Sequence, residues 1–541
     1  MADVDEVLDG WLAEEFDREP VRASSLGLSR YDDQLGDHSA AGFEAEQRRT
    51  RLWAARFAGL EHTGRSLDDR IDVTLVLTAL AGRAVLEEWE GWRREPATYL
   101  NPCLMGPFSL FLHRLRPEPE LVAAAVARLR QVPEVLEAGR ANLDADLTPR
   151  LLIKRGLATC RAGAVYFRDM LAAEVTDDGL RADVGGAAGA AADAMADFGQ
   201  HLDSMLGAAR GDWALGESRY SALLLERELL GYGAGELHTR GEKAWADLDA
   251  EMTNLARGVD PGAPGWRAVI TDLSADHPAD PEEMRSGYER ACSDARAFLA
   301  ERRLVTLPEG EECLVVPSPV FQRPVMAVAS YAAPPPLSSS AIGHFFVPYP
   351  PEGTSPEALD QRLSDNGWYA IPSVSVHEAY PGHHWQLTWS RRTSRQVRHW
   401  VATPYFIEGW ALYAERMMRE EGFFTDARQE LCHLGMRIFR AARMVVDTAL
   451  HAGEMTVDQA VTHLRERAGL TEAVANAEVS RYCAWPTQAP SYLTGSLEIE
   501  RIRDRWRSGP GAGRDLREFH DAIAASPGLP AALAELAMFG E

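Results

Sequence analysis

The sequence predicts a mainly α-helical protein with two helical lobes and one small β-sheet lying between them in the chain. Three observations carry this. Apolar residues recur at three- and four-residue spacing through the first 260 positions. Short β-like runs separated by proline occupy 304–350, and helical patterning returns from 370 to the end.

In the first lobe, 1–260, helices are predicted over "VDEVLDGWLAEEF", "AEQRRTRLWAARFAGL" and "DVTLVLTALAGRAVLEEWEGW". Within "EPELVAAAVARLRQVPEVLEAGRANL", Pro133 lacks an N–H and is expected to end one helix and start another. "GAAGAAADAMADFGQHLDSML" is helical by its alanine content. "GYGAGELHTRGEKAWADLDAEMTNLARG" reads as a turn followed by a long helix. Near 258 the chain becomes rich in Pro, Gly and Asp, as surface connections are, and a second lobe is set at 261–541. Its strands are expected in "LVTL", "CLVVPSPV", "VMAVASYAAP" and "HFFVPY", with prolines keeping some of them at the sheet's edges. The two lobes are expected to form one compact unit.

Composition narrows the function. The 541 residues are 46% hydrophobic and 25% charged, ordinary for a globular chain with a large core. A formal charge of −25 argues against nucleic acid, a polyanion, as a partner. Six scattered cysteines, with no C-x-x-C pair, suit free thiols rather than a disulfide framework. The acidic start "MADVDEVLDGWLAEEFDREP" shows no basic region followed by an apolar run, and no apolar stretch has membrane-spanning length. The expectation is a cytoplasmic protein, monomeric or homodimeric, without membrane contact.

Chemistry concentrates in "VHEAYPGHHWQ", residues 376–386. Helical zinc hydrolases use H-E-x-x-H: two histidines one turn apart bind the metal, and the glutamate acts as general base on the water the metal activates. Here Pro381 stands four residues after His377, where the second histidine belongs, leaving His383 and His384 as replacements. On an ideal helix His383 lies roughly 240° around from His377 and His384 only about 20°. Ideal geometry favours His384. A bulge at Pro381 and Gly382 would instead bring His383 into place. Ser373 and Ser375 are the expected helix N-caps. Downstream, "TPYFIEGWALYAERMMREEGF" opens a helix at Thr403 and Pro404, with Glu408 near its start. Glu408 is a candidate third ligand, and Gly409 allows a second helix to approach closely. Glu415 shares the face of Glu408 and is a candidate support for a ligand histidine. The zinc-binding helices are thus expected in 370–420, with Zn2+ as the cofactor.

"HEAYPGHHWQ", "FIEGWALYAE" and "SRYCAWPTQAPSYLTGSLEIERIR" resemble the signature blocks of domain-of-unknown-function family 885, bacterial zincin-like proteins. The likeness extends to "VRASSLGLSRYDDQLGDHS" and is densest over 370–505. It implies a zincin-like helical metallopeptidase architecture with a deep cleft between two helical lobes. The family pattern H-E-x-x-P-G-H carries over to His377, Glu378, Pro381, Gly382 and His383, which implies His377, His383 and Glu408 as metal ligands and Glu378 as the base. One departure stands out. Family members usually read P-G-Q-A where this chain has Pro486, Thr487, Gln488 and Ala489, and the missing glycine bears on how closely backbone and substrate approach.

"RYCAWPTQAPSYLTG" adds Arg481, Tyr482, Gln488 and Tyr492. Tyr492 is the candidate oxyanion donor, Arg481 the candidate clamp for a substrate carboxylate, and Gln488 a further substrate-binding candidate. His344, beside the possible edge strand "HFFVPY", would face an extended peptide paired to that strand. His399, His433, His451 and His463 lack partner spacing and read as structural. Together these point to a zinc-dependent hydrolase of amide bonds, acting on short peptides. The alternatives are a biosynthetic amide or acyl hydrolase acting on a specialised metabolite, and a non-catalytic binding protein on the same scaffold.

Overall fold

The computed structural model describes residues 4–60, 64–320, 322–323 and 328–540. Among them the protein is mainly α-helical with one three-stranded mixed sheet. The chain divides into two compact units. The first comprises Met1–Trp213 with Pro335–Ser340, the second Ala214–Pro334 with Ala341–Glu541. The compositional boundary at 260 does not coincide with this division. The helix Ala234–Val259 packs along Ala427–Ala452, which places it in the second unit.

The first unit is built from helices packed in pairs. Glu118–Asn142 and Arg150–Val165 both pack against Asp178–Met205, and Ala40–Ala58 packs against Leu67–Glu88. Trp11, Phe57, Leu129, Val132, Phe198 and Leu202 are among its buried side chains. Pro133 does not divide its helix, which runs unbroken over Glu118–Asn142. The ring lies on the solvent face, while Leu129, Val132, Val135 and Leu136 continue a buried stripe past it. Burial of that stripe outweighs the roughly 3 kcal/mol that an interior proline costs.

The second unit holds the signature blocks. Pro404–Glu420 packs along Ser491–Ser508, and Pro281–Arg302 along Ile371–Glu378. A short helix, Trp266–Ser274, lies inside the stretch read as connection. The sheet consists of β1 (Glu312–Pro317), β2 (Ser330–Ala332) and β3 (Ile342–Val347) in the order β1-β3-β2. β1 pairs parallel to β3, and β2 pairs antiparallel to it. Two expectations change here. "LVTL", residues 304–307, is not a strand, and β3 is the central strand rather than an edge. Its backbone is paired on both sides, so the segment bearing His344 has no free ladder to offer a peptide. The first residues of the run 325–334, positions 325–327, lie outside the described residues. No helix among the described residues is long and apolar enough to cross a membrane, and the six cysteines are free.

Candidate metal centre

Two short helices and the turn between them present the histidines. Ile371–Glu378 ends with His377 and Glu378, and His383–Ser390 begins at His383. The bulged single helix expected from the sequence is in fact a clean break. Pro381 has no N–H for the turn and its ring crowds the preceding one, and the Tyr380–Pro381 bond is cis. The Gly382 N–H instead donates to the Val376 carbonyl at 2.9 Å, and the Trp385 N–H to the Ala379 carbonyl at 3.1 Å. Gly382 is required there, because a Cβ would sit 1.8 Å from the His377 carbonyl oxygen. The break re-aims the chain so that His383 meets His377, with ring centroids 4.9 Å apart. Neither Ser373 nor Ser375 caps the helix, which begins at Ile371 after Ala370.

The third arm is the Glu408 helix, Pro404–Glu420, capped by Thr403, whose hydroxyl accepts from the Tyr405 N–H at 3.1 Å. Trp410 Nε1 donates to the Pro381 carbonyl at 2.8 Å and fastens the histidine turn to this helix. Gly409 meets Gly495 of the Tyr492 helix, Ser491–Ser508: a Cβ on Gly409 would lie 2.5 Å from the Gly495 Cα. The two helices therefore touch backbone to backbone, as Gly409 led us to expect.

Donor atoms of His377, His383 and Glu408 all lie within 4.8 Å of one another. Glu408 Oε2 is 3.6 Å from His377 Nε2 and 3.3 Å from His383 Nε2. These separations are long for charge-assisted hydrogen bonds. They match the roughly 3.3 Å between donors that share a tetrahedral zinc ion with bonds of about 2.0–2.1 Å. The buried Oε2 has no hydrogen-bond partner among the described residues. Two imidazoles and a carboxylate, with these spacings, could hold a metal ion.

A further carboxylate fixes the first imidazole. Glu415 Oε1 accepts from His377 Nδ1 at 2.8 Å, which leaves the Nε2 lone pair for the site. Glu415 Oε2 accepts from the Ser373 hydroxyl at 2.7 Å and lies 3.2 Å from His433 Nδ1. His433, read as structural, therefore contacts the same carboxylate that orients His377. Burial pulls the His377 proton affinity down, but Glu408 and Glu415 overcome it and raise its pKa to about 9. Burial opposes ionisation of Glu408 and Glu415 too, yet the histidines hold both well below the usual carboxylate range. The negative field of Glu408 and Glu415 that raises the His377 pKa would also attract a metal cation, which displaces the proton from the ring nitrogen it binds.

His384 is committed elsewhere. Its Nδ1 lies 2.8 Å from the Tyr331 hydroxyl and its Nε2 2.6 Å from Glu311 Oε2. Glu311 also accepts from the Tyr380 hydroxyl at 2.5 Å and from Arg296 Nε at 2.9 Å. With both ring nitrogens engaged, His384 offers no donor to the cluster around His377. Glu378 adjoins His377 in sequence, but its side chain makes no hydrogen bond among the described residues. Burial raises its pKa, partly countered by His377 and His383.

The 481–492 segment reaches this cluster. The Tyr492 ring stacks near His377, with centroids 6.2 Å apart at 19°. Gln488 Nε2 donates to the Tyr492 hydroxyl at 3.4 Å, and Gln488 Oε1 accepts from Arg481. Arg481 also donates to Glu478 at 2.9 Å, so its guanidinium is occupied by Gln488 and Glu478. Thr487 takes the place of the usual glycine and still adopts a left-handed φ of 69°. A β-branched residue is rare there. Its N–H donates to Asp447 at 3.0 Å and its hydroxyl accepts from Arg227 at 2.9 Å, which hold the strained backbone in place.

Residues 20–538 match the family described as "Bacterial protein of unknown function (DUF885)". The chain belongs to this family. No curated protein matches this DUF885 chain in sequence. It is similar to solved structures that include the following two. One is described as "a putative lipoprotein of unknown function from Shewanella oneidensis", at 20% identity and a TM-score of 0.80, covering 99% of this chain and 100% of that one. The other is "the putative lipoprotein from Colwellia psychrerythraea", at 19% identity and a TM-score of 0.85, covering 99% of this chain and 98% of that one. These likenesses establish a shared fold for the DUF885 chain over nearly its whole length.

Proposed function

We propose that the protein is a zinc-dependent hydrolase of amide bonds, a zincin-like peptidase acting on short peptides. The observation that carries this reading is the donor set of His377, His383 and Glu408, with the unbonded Glu378 beside the first ligand. Held by His377, His383 and Glu408, zinc would polarise the substrate carbonyl and lower the pKa of water so that it gives up a proton and becomes nucleophilic. Glu378, whose pKa is raised by burial, takes the water's proton and passes it to the leaving nitrogen. Tyr492, stacked beside His377, donates its hydroxyl proton in a hydrogen bond to the oxygen on which charge develops. Glu415 keeps His377 in the tautomer that ligates. Gln488 holds the Tyr492 hydroxyl in place, and His344 remains a candidate for contact with the substrate.

A purely binding role makes no use of an unbonded carboxylate next to a ligand. The partner is a short peptide or an amide-containing small molecule, and the charge of −25 disfavours nucleic acid. The expected compartment is the cytoplasm; the word lipoprotein describes the two similar proteins, and cell fractionation decides it for this one. The reading is tested by incubating zinc-loaded protein with a mixed library of short peptides and identifying products by mass spectrometry. Cleavage should appear, should cease after dialysis against a chelator, and should return with zinc. Cleavage that survives complete metal removal contradicts the proposal.

A further inference from the structure

The helix Ala427–Ala452 buries three arginines at three-residue spacing: Arg437, Arg440 and Arg443. Two of them have carboxylate partners. Arg437 donates to Glu500 at 2.6 Å, and Arg443 donates to Glu478 at 2.8 Å and to the Tyr482 hydroxyl at 3.1 Å. Arg440 differs. It is 7% exposed, and no carboxylate among the described residues pairs with it. Its hydrogen bond is from Nη1 to the Met436 carbonyl of its own helix at 3.1 Å, and its buried Nε has none. Glu415 and Glu478 act on it only through space, and burying a guanidinium without a hydrogen-bonded counter-charge is costly. A ligand carboxylate would complete it.

Its surroundings say where that partner binds. The Arg440 guanidinium carbon lies 5.6 Å from the centre of the Tyr492 ring, and that of Arg443 lies 4.6 Å from it. The same ring stacks near His377. One aromatic ring therefore neighbours both guanidiniums and His377. Glu478 serves both Arg443 and Arg481, which leaves Arg440 as the one of these three guanidiniums with no carboxylate at ion-pair distance among the described residues. Arg443 also keeps a buried Nη1 without a hydrogen-bond partner.

We infer that Arg440, assisted by Arg443, receives a carboxylate of the substrate, so that the amide cleaved at the metal lies close to a free carboxyl end. This rests on the hydrolase reading and narrows its substrate class to peptides cut near the C-terminus or to N-acyl amino acids. A guanidinium fork matches a carboxylate with two parallel hydrogen bonds, which a carboxamide cannot reproduce. The reaction is hydrolysis. Water oxygen bonds to the carbonyl carbon, the C–N bond breaks, and a proton from water goes to the leaving amine. The sequence assigned this clamp to Arg481, but Glu478 and Gln488 occupy that guanidinium.

The test compares substrate pairs that differ only in a terminal carboxylate or carboxamide: a blocked tripeptide and an N-benzoyl amino acid, each in both forms. Zinc-loaded wild type should favour the acid by about 10- to 100-fold in kcat/KM, the range expected of a charge-assisted hydrogen bond. In Arg440→Met that preference should collapse while zinc content stays the same, and Arg440→Lys should restore part of it. Whichever pair shows the preference identifies the source of the carboxylate. Equal use of acid and amide by wild type, or an unchanged ratio in Arg440→Met, overturns the inference. Should neither pair be cleaved, the hydrolase reading fails separately, and calorimetry with N-benzoylglycine and its amide decides the site. Binding of the acid alone, lost in Arg440→Met, supports the carboxylate site; equal binding, or none, rules it out.

Discussion

Glu378→Gln should keep a full complement of metal and lose turnover by ~10²–10⁴-fold, the usual worth of a general base. The substitution preserves shape and removes basicity. The Glu378 side chain makes no hydrogen bond among the described residues, so no partner is stranded by the change. Its carboxylate lies at the end of the helix that carries His377, and burial has already made it a better base than an exposed glutamate. Rates for a substrate cleaved by wild type, measured with zinc content on the same samples, check this. A Glu378→Gln protein that holds zinc and turns over at the wild-type rate removes the proposed base from the mechanism.

Glu408→Gln should behave differently, losing metal and activity together. Its carboxylate supplies the anionic donor of the set, 3.3 Å and 3.6 Å from the two imidazole nitrogens. Glu415→Gln should fall between. Groups that orient a ligand histidine typically contribute 10- to 100-fold in metal affinity, and Glu415 holds His377 by a 2.8 Å contact. Competition against a chromophoric chelator orders the three proteins: wild type tightest, Glu415→Gln weaker, Glu408→Gln weakest. If Glu415→Gln binds more weakly than Glu408→Gln, the assignment of ligand and support is inverted.

Much of this site was legible in the sequence because its spacing rules are local. The pairing of His377 with Glu408 followed from helical ligand spacing, and the Gly409 contact followed from the absence of a side chain. The seven-residue interval from Glu408 to Glu415 put both on one face, where the structure has them. Ideal helix geometry favoured His384 over His383. It failed because Pro381 and Gly382 end one helix and start another, and angles measured along a continuous helix do not survive a break. Only the family pattern selected His383. Tertiary partners were invisible: Glu311, which occupies His384, lies 73 residues away, and Ser373 reaches Glu415 across 42. Arg440 carried a signal that went unread. Three arginines at spacing three, set in the apolar run "RIFRAARMVVDTAL", cannot all face solvent on a buried helix. The same limit explains Pro133 and β3, where packing outweighed a proline's local preference and pairing order decided which strand lay at the centre.

Metal stoichiometry in the two neighbouring histidine variants tests the central claim most directly. Wild type, His383→Ala and His384→Ala are stripped of metal, reloaded with zinc, desalted and analysed by elemental mass spectrometry, with circular dichroism confirming that each is folded. The account predicts one zinc per chain in wild type, none in His383→Ala, and close to one in His384→Ala, whose ring is held by Tyr331 and Glu311 instead. Retention of zinc by a folded His383→Ala protein, with loss from His384→Ala, would contradict it.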